Sequence, residues 1–271
     1  MAQAAPASSD AQRERRRTGR SESPGSQGRL PSIESCNPNM AARGRGCLGC
    51  DVRHLALCAA LRQDALPHLE AIVSPVSLGP GRMLFGEGDP VRHAYIVVAG
   101  ILRLVRLLSD GRRQITGFGL AGDFVGLSAE GAHPCGAETV DSVELCQFPI
   151  RRLHELFTSF PEMEHRLLAM RSAELVAAHE RMVLLGRKTP VEKIATFLLE
   201  VSARQKARGR PPSPVILPMT RSDIADYLGL TVETVSRCFT RLKTERSIAL
   251  PEPTSVTLLE RDRLQRLAYG D

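Results

Sequence analysis

One segment constrains the fold more than any other. Residues 220–242 read Thr-Arg-Ser-Asp-Ile-Ala-Asp-Tyr-Leu-Gly-Leu-Thr-Val-Glu-Thr-Val-Ser-Arg-Cys-Phe-Thr-Arg-Leu. Thr220 and Asp223 have the spacing of a capping box and predict a helix start. Ala225 is small where two helices must cross. Gly229 follows four residues later, where a tight turn needs a positive φ. Val235 follows six after that, placed to pack a second helix onto the first. Together these positions form a helix-turn-helix pattern.

The second helix of that pair is expected over about 231–243, with Val235, Phe239 and Leu242 inward. Glu233, Ser236, Arg237, Thr240 and Arg241 then face outward. Such a face suits the major groove: arginine offers guanine a bidentate donor pair, glutamate accepts from cytosine, and serine bonds either way. Arg221, Arg241, Lys243 and Arg246 are candidate phosphate contacts. Cys238, in the same helix, reads as a packed thiol. The formal net charge of +6 is compatible with nucleic acid.

Upstream the period changes. Over 76–150, β-rich runs such as residues 95–99 and 101–108 alternate with glycines, and Ser109-Asp-Gly111 is a hairpin-type turn. Short strands at regular intervals predict a small β-sandwich or jelly roll. A long helix follows over 161–187. Leu168, Arg171, Leu175, Ala178, Met182 and Leu185 step by three and four, a coiled-coil seam apart from Arg171. Met163, Leu167, Met170, Ala177 and Leu184 form an adjacent, largely apolar row. A helix apolar on two sides has two partners, its own β domain and, most simply, a second copy of the chain. Thr189-Pro190 opens another helix over 191–203, followed by a basic, proline-rich loop over 204–214 and a β-hairpin over 248–259. The expected units are thus residues 47–160, 161–187 and 188–271, preceded by a disordered stretch over 1–46 carrying arginine patches at Arg13–Arg20 and Arg43–Arg45.

Seven cysteines occur, four of them between Cys36 and Cys58. No signal-peptide pattern accompanies them, so reduced thiols in a cytoplasmic protein are expected. Cys47-Leu-Gly-Cys50 lets two sulfurs face one metal, and Cys58 follows eight positions on. A fourth ligand must come from Cys135, Cys146 or Cys36. Zinc usually shows paired doublets, whereas an iron–sulfur cluster tolerates one doublet plus singletons; from spacing alone iron–sulfur, zinc and thiol redox switching all stay open. No run of about 18 apolar residues marks a membrane span. No nucleophile elbow, Walker loop or metalloprotease motif points to an enzyme.

Four pieces carry a family resemblance: Arg113-Gln-Ile-Thr-Gly-Phe118, Ala121-Gly-Asp-Phe-Val-Gly126, Met219-Thr-Arg-Ser-Asp223 and Leu228-Gly-Leu-Thr-Val-Glu-Thr-Val-Ser-Arg237. From about Cys47 onward the chain resembles the Crp/Fnr transcription regulators, and within them the oxygen-responsive Fnr group. The resemblance implies an α+β architecture. An N-terminal double-stranded β-helix (a jelly roll like that of cyclic-nucleotide-binding domains) would act as sensor, joined by a dimerisation helix to a C-terminal winged helix-turn-helix. It further implies an oxygen-labile 4Fe–4S cluster on Cys47, Cys50, Cys58 and Cys146, with Cys135 the rival for the fourth place. It also implies an activator, acting with RNA polymerase as a homodimer on palindromic sites of TTGAT-type half-sites, read by Glu233, Ser236 and Arg237. Nitric-oxide, heme or thiol/metal redox sensing on the same scaffold are the alternatives. Cyclic nucleotide is not expected, because Gly131-Ala-His-Pro-Cys-Gly136 holds no arginine for a cyclic phosphate.

Overall fold

The computed structural model describes residues 46–270. The stretch expected to be disordered, with Cys36 and both arginine patches, lies outside the described residues save Gly46.

Two short 3₁₀ turns, Leu57–Ala60 and Gln63–Ala65, lead into α1 (Leu66–Glu70). Eight strands follow: β1 (Ser74–Leu78), β2 (Met83–Phe85), β3 (His93–Ala99), β4 (Leu102–Leu107), β5 (Arg113–Gly119), β6 (Phe124–Val125), β7 (Gly136–Thr139) and β8 (Val143–Pro149). They form two four-stranded sheets, ordered β1-β8-β3-β6 and β2-β7-β4-β5, with antiparallel pairing throughout. Phe85, Tyr95, Val97, Leu102, Ala137 and Leu145 come from both sheets and share one core between them. This is the β-roll.

Alternation along each strand decides what the outer faces meet. In the first sheet Ala94, Ile96, Phe124 and Phe148 turn outward, into a second core with Leu57, Cys58, Leu61, Leu66 and Leu69. Helix α2 (Ile150–Ser159) and the start of α3 (Pro161–Arg187) close this core through Leu153, Phe157 and Met163. In the second sheet Val105, Ile115 and Phe118 turn outward, into a third core formed by the C-terminal unit.

That unit comprises α4 (Pro190–Ala207), β9 (Val215–Ile216), α5 (Arg221–Leu228), α6 (Val232–Thr244), β10 (Ile248–Glu252), β11 (Ser255–Leu258) and α7 (Arg261–Tyr269). The three strands pair in the order β10-β11-β9 and make the wing. Helix α4 opens with a capping box between Thr189 and Glu192. It corrects the expected loop start at residue 204 by running on to Ala207. The extra turn is anchored on the roll: Arg204 donates to the Phe118 carbonyl at 3.1 Å and pairs with Asp123, and Arg208 donates to the Ala121 carbonyl at 2.6 Å and to Asp123 at 2.8 Å.

Helix α3 touches both outer cores, with Met163 in one and Leu184 in the other. Between them Leu168, Leu175 and Met182 of the expected seam are exposed in the single chain, and so are Val176 and Val183, which the heptad reading left out.

Candidate cysteine centre and nucleic-acid interface

Four of the cysteines converge on the outer face of the first sheet. Cys146 lies on β8 beside Pro75 of β1 and Ile96 of β3. It follows the same alternation as Phe148, so it faces the segment over 47–70 rather than the roll interior. Cys58 is buried in that second core, and Cys47 packs against its edge. Turn bonds Arg53 N→Cys50 O (3.2 Å) and Ala56 N→Val52 O (3.1 Å) coil the intervening loop. The Glu70 carboxylate accepts from the Cys47 backbone N–H at 2.6 Å, and Arg53 donates to the Leu61 carbonyl at 2.7 Å.

The four sulfurs share one electrostatic neighbourhood. Burial, reinforced by the charges of Cys50, Cys47 and Cys58, pushes the Cys146 thiol up to about 12. Burial, then Glu70, Cys58 and Cys50, pushes Cys47 up to about 12. Burial and Cys50 push Cys58 up to about 11, against a small opposing contribution from Arg53. Buried thiolates repelling one another are stable only beside a compensating cation. Among the described residues no three His, Cys, Asp or Glu side chains converge tightly enough to hold a single metal ion. The set is therefore a neighbourhood rather than a closed tetrahedral cage. A cavity of about 990 Å³ reaches from Cys47, Cys50 and Cys146 across to Glu200 and Arg204 of α4 and to Arg208 just past its end. Donor chemistry, charge and space fit a polynuclear iron–sulfur group.

Cys135 lies elsewhere. Its neighbours are Thr116, Glu87 and Arg106, and none of the four clustered thiols acts on it. Cys238 is buried in α6 against the third core.

The helix pair follows from its local chemistry. The Thr220 hydroxyl accepts from Asp223 N at 3.1 Å, and Asp223 Oδ2 accepts from Thr220 N at 3.0 Å. Gly229 ends α5 at φ 62°, in the left-handed region. Ala225 and Val235 are buried at the crossing. Thr231 caps α6 through Thr234 N at 3.2 Å. Val235, Cys238, Phe239 and Leu242 face in, while Glu233, Ser236, Arg237, Thr240 and Arg241 face solvent.

Two arginines differ from their expected state. Arg221 is half-buried, its guanidinium 3.4 Å from the Phe239 ring centroid, because a weakly hydrated cation stacks well on an aromatic face. Arg241 is tied to Glu245 one turn on (2.7 Å), and Glu245 also binds Arg263 (2.6 Å). The i,i+4 spacing of Arg241 and Glu245 was the available signal for this pair.

Comparison with known proteins decides the family. A Crp-like helix-turn-helix domain matches residues 192–267, and a cyclic nucleotide-binding domain matches residues 75–160. The chain is 39% identical over 238 residues to the nitrogen fixation regulation protein FixK of Bradyrhizobium diazoefficiens, covering 88% of this chain and 98% of that protein. It is 38% identical over 227 residues to the transcriptional activator protein Anr of Pseudomonas protegens, covering 83% and 93%. The structure of FixK2 from Bradyrhizobium japonicum superposes with a TM-score of 0.69 at 36% identity, over 74% of this chain and 99% of that one. The chain belongs to the Crp/Fnr family of transcription regulators.

As a Crp/Fnr regulator it is a DNA-binding protein and not an enzyme. In this family member the segment Gly131–Gly136 places His133 in the roll, buried and stacked on Phe85 at 3.8 Å between ring centroids. No helix among the described residues is long and apolar enough to cross a membrane.

Proposed function

We propose that this Crp/Fnr regulator is an oxygen-responsive activator of anaerobic and microaerobic genes, a homodimer holding a 4Fe–4S cluster on Cys47, Cys50, Cys58 and Cys146. The observation that carries the reading is the gathering of Cys47, Cys50 and Cys146 on one cavity, with Cys58 buried in the core they pack against and Cys135 left outside. When bound, such a group supplies an oxygen-labile, redox-active cationic centre.

The chain's own residues do the rest. Holding the group requires the thiols to give up protons. Cys47, Cys50, Cys58 and Cys146 would hold the group, and their sulfurs would then fix the loop from Cys47 to Cys58 against β8. Arg166 of α3 donates to the Leu55 carbonyl of that loop at 3.0 Å, so the position of the loop is also the position of the long helix. The exposed row Leu168, Leu175 and Met182 is then the surface for a second copy. Pairing sets two α6 helices about one DNA turn apart. Glu233, Ser236 and Arg237 would read TTGAT-type half-sites, and promoter-bound dimers would engage RNA polymerase. A thiol switch is disfavoured at Cys47, Cys58 and Cys146, because burial pushes these thiols up and only the thiolate is reactive.

Protein isolated with air excluded should contain iron and acid-labile sulfide in equal amounts and show a broad visible absorption that bleaches in air. Cys50→Ser should lose both and lose oxygen-dependent DNA binding. Iron-free, sulfide-free anoxic protein would overturn the reading. Arg237→Ala should cost about 1–3 kcal/mol of discrimination at one base pair of the half-site.

A further inference from the structure

The face of the roll opposite the cysteines carries a charge network that DNA reading does not use. Asp223 is buried, and its two carboxylate oxygens have separate tasks. Oδ2 caps α5, accepting from the Thr220 N–H at 3.0 Å and the Thr220 hydroxyl at 2.8 Å. Oδ1 accepts from Arg103 on β4 and Arg113 on β5, each at 3.1 Å. Near the end of α5, Asp226 Oδ2 accepts two bonds from Arg113, at 2.9 and 2.7 Å. Gln114 donates to the Asp226 backbone carbonyl. Arg103 is in turn steadied by Glu138 of β7, with nitrogen–oxygen distances of 2.7 and 2.8 Å. The long helix joins the same junction. Arg181 of α3 donates to the Thr116 carbonyl on β5 and lies 4.6 Å from the Tyr227 ring centroid on α5.

The network thus ties three bodies together: the sheet, the long helix and the first helix of the DNA-binding pair. It does so without covering the outward face of α6, where Glu233, Ser236 and Arg237 stay exposed. A contact that blocked DNA would have to hide that face. A contact that leaves it open is free to set its attitude.

We propose that Arg113 and Arg103 are positioning residues for DNA binding: through Asp223 and Asp226 they lock α5, and with it α6, at one angle to the long helix. Two recognition helices reach successive major grooves only at a fixed separation. Binding across two half-sites needs the lock, whereas a single half-site, read by one α6, does not.

The test uses the full chain purified under anoxia and two DNA probes. One is a duplex that the wild-type protein selects from a random pool; the other is that duplex cut back to one half-site. Arg113→Gln and Asp226→Asn are the variants, alone and together. Each single change should weaken binding to the two-half-site duplex by about 5- to 150-fold, the usual span of a coupling between sites. Binding to the one-half-site duplex should be unchanged. The double variant should lose no more than Arg113→Gln alone, since the Asp226 contact is one of those that Arg113→Gln already removes. Equal losses on the two duplexes would reduce the network to a structural brace and overturn the proposal. So would wild-type or tighter binding to the longer duplex, or fully additive losses in the double variant.

Discussion

The two outer faces of the β-roll are covered by opposite chemistries. On the first sheet the cover is apolar core plus four thiols whose thiolate forms would repel one another. On the second it is an apolar core plus a network in which each carboxylate is paired with arginine. The arginine face is complete within one chain. The cysteine face satisfies its charges only by keeping its sulfurs protonated or by taking in a cation. One side of the roll is therefore built to hold, and the other to respond.

Four measurements would sharpen or break this contrast. Phe148→Ala removes a fully buried ring from beneath the cysteines and should cost about 3–5 kcal/mol in urea unfolding of the iron-free protein. A cost below about 1 kcal/mol would mean that apolar burial does not hold this face. Arg103→Met, on the opposite side, strips Glu138 of its partner and Asp223 of one of two. It should destabilise by about 2–3 kcal/mol, as expected when a buried charge loses a bonded ion, with weak dependence on salt. Strong salt dependence would show the network to be an ordinary surface pairing. Arg166→Gln removes one charge-assisted bond to the cysteine loop and should cost about 1.5 kcal/mol. Hydrogen exchange should then quicken around Leu55 while β4 and β5 keep their protection. Thr220→Ala removes the cap of α5 and should cost about 1 kcal/mol of thermal stability, leaving the cysteine face unmoved.

What the sequence made legible follows the range of each interaction. The helix-turn-helix was readable because its rules are local: Thr220 with Asp223, then Ala225, Gly229 and Val235, within sixteen consecutive residues. The long helix was readable from its three-four stepping, and the roll from its glycine-punctuated strands. Three of the cysteines announced themselves by spacing. Cys146 needed the strand alternation with Phe148 to show which way it points; spacing alone left Cys135 and Cys36 open beside it, and only the family resemblance put Cys146 first. The arginine network was not legible at all. Arg113 and Asp226 lie 113 positions apart, and no pattern around either residue names the other. Asp223 was readable as a cap, but its second oxygen is committed by tertiary contact alone. Arg221 was assigned by charge to the DNA, and the stacking of its half-buried guanidinium on a ring eighteen residues later was not foreseen.

Helix α3 has one end in each outer core, Met163 beneath the cysteines and Leu184 against the DNA-binding unit. Its 27 residues make a rod about 40 Å long. A stiff rod seated in two different cores passes any tilt of one on to the other. A small rotation at the Met163 end becomes a several-ångström sweep at the other, and two such rods lying side by side would open or close like the blades of shears.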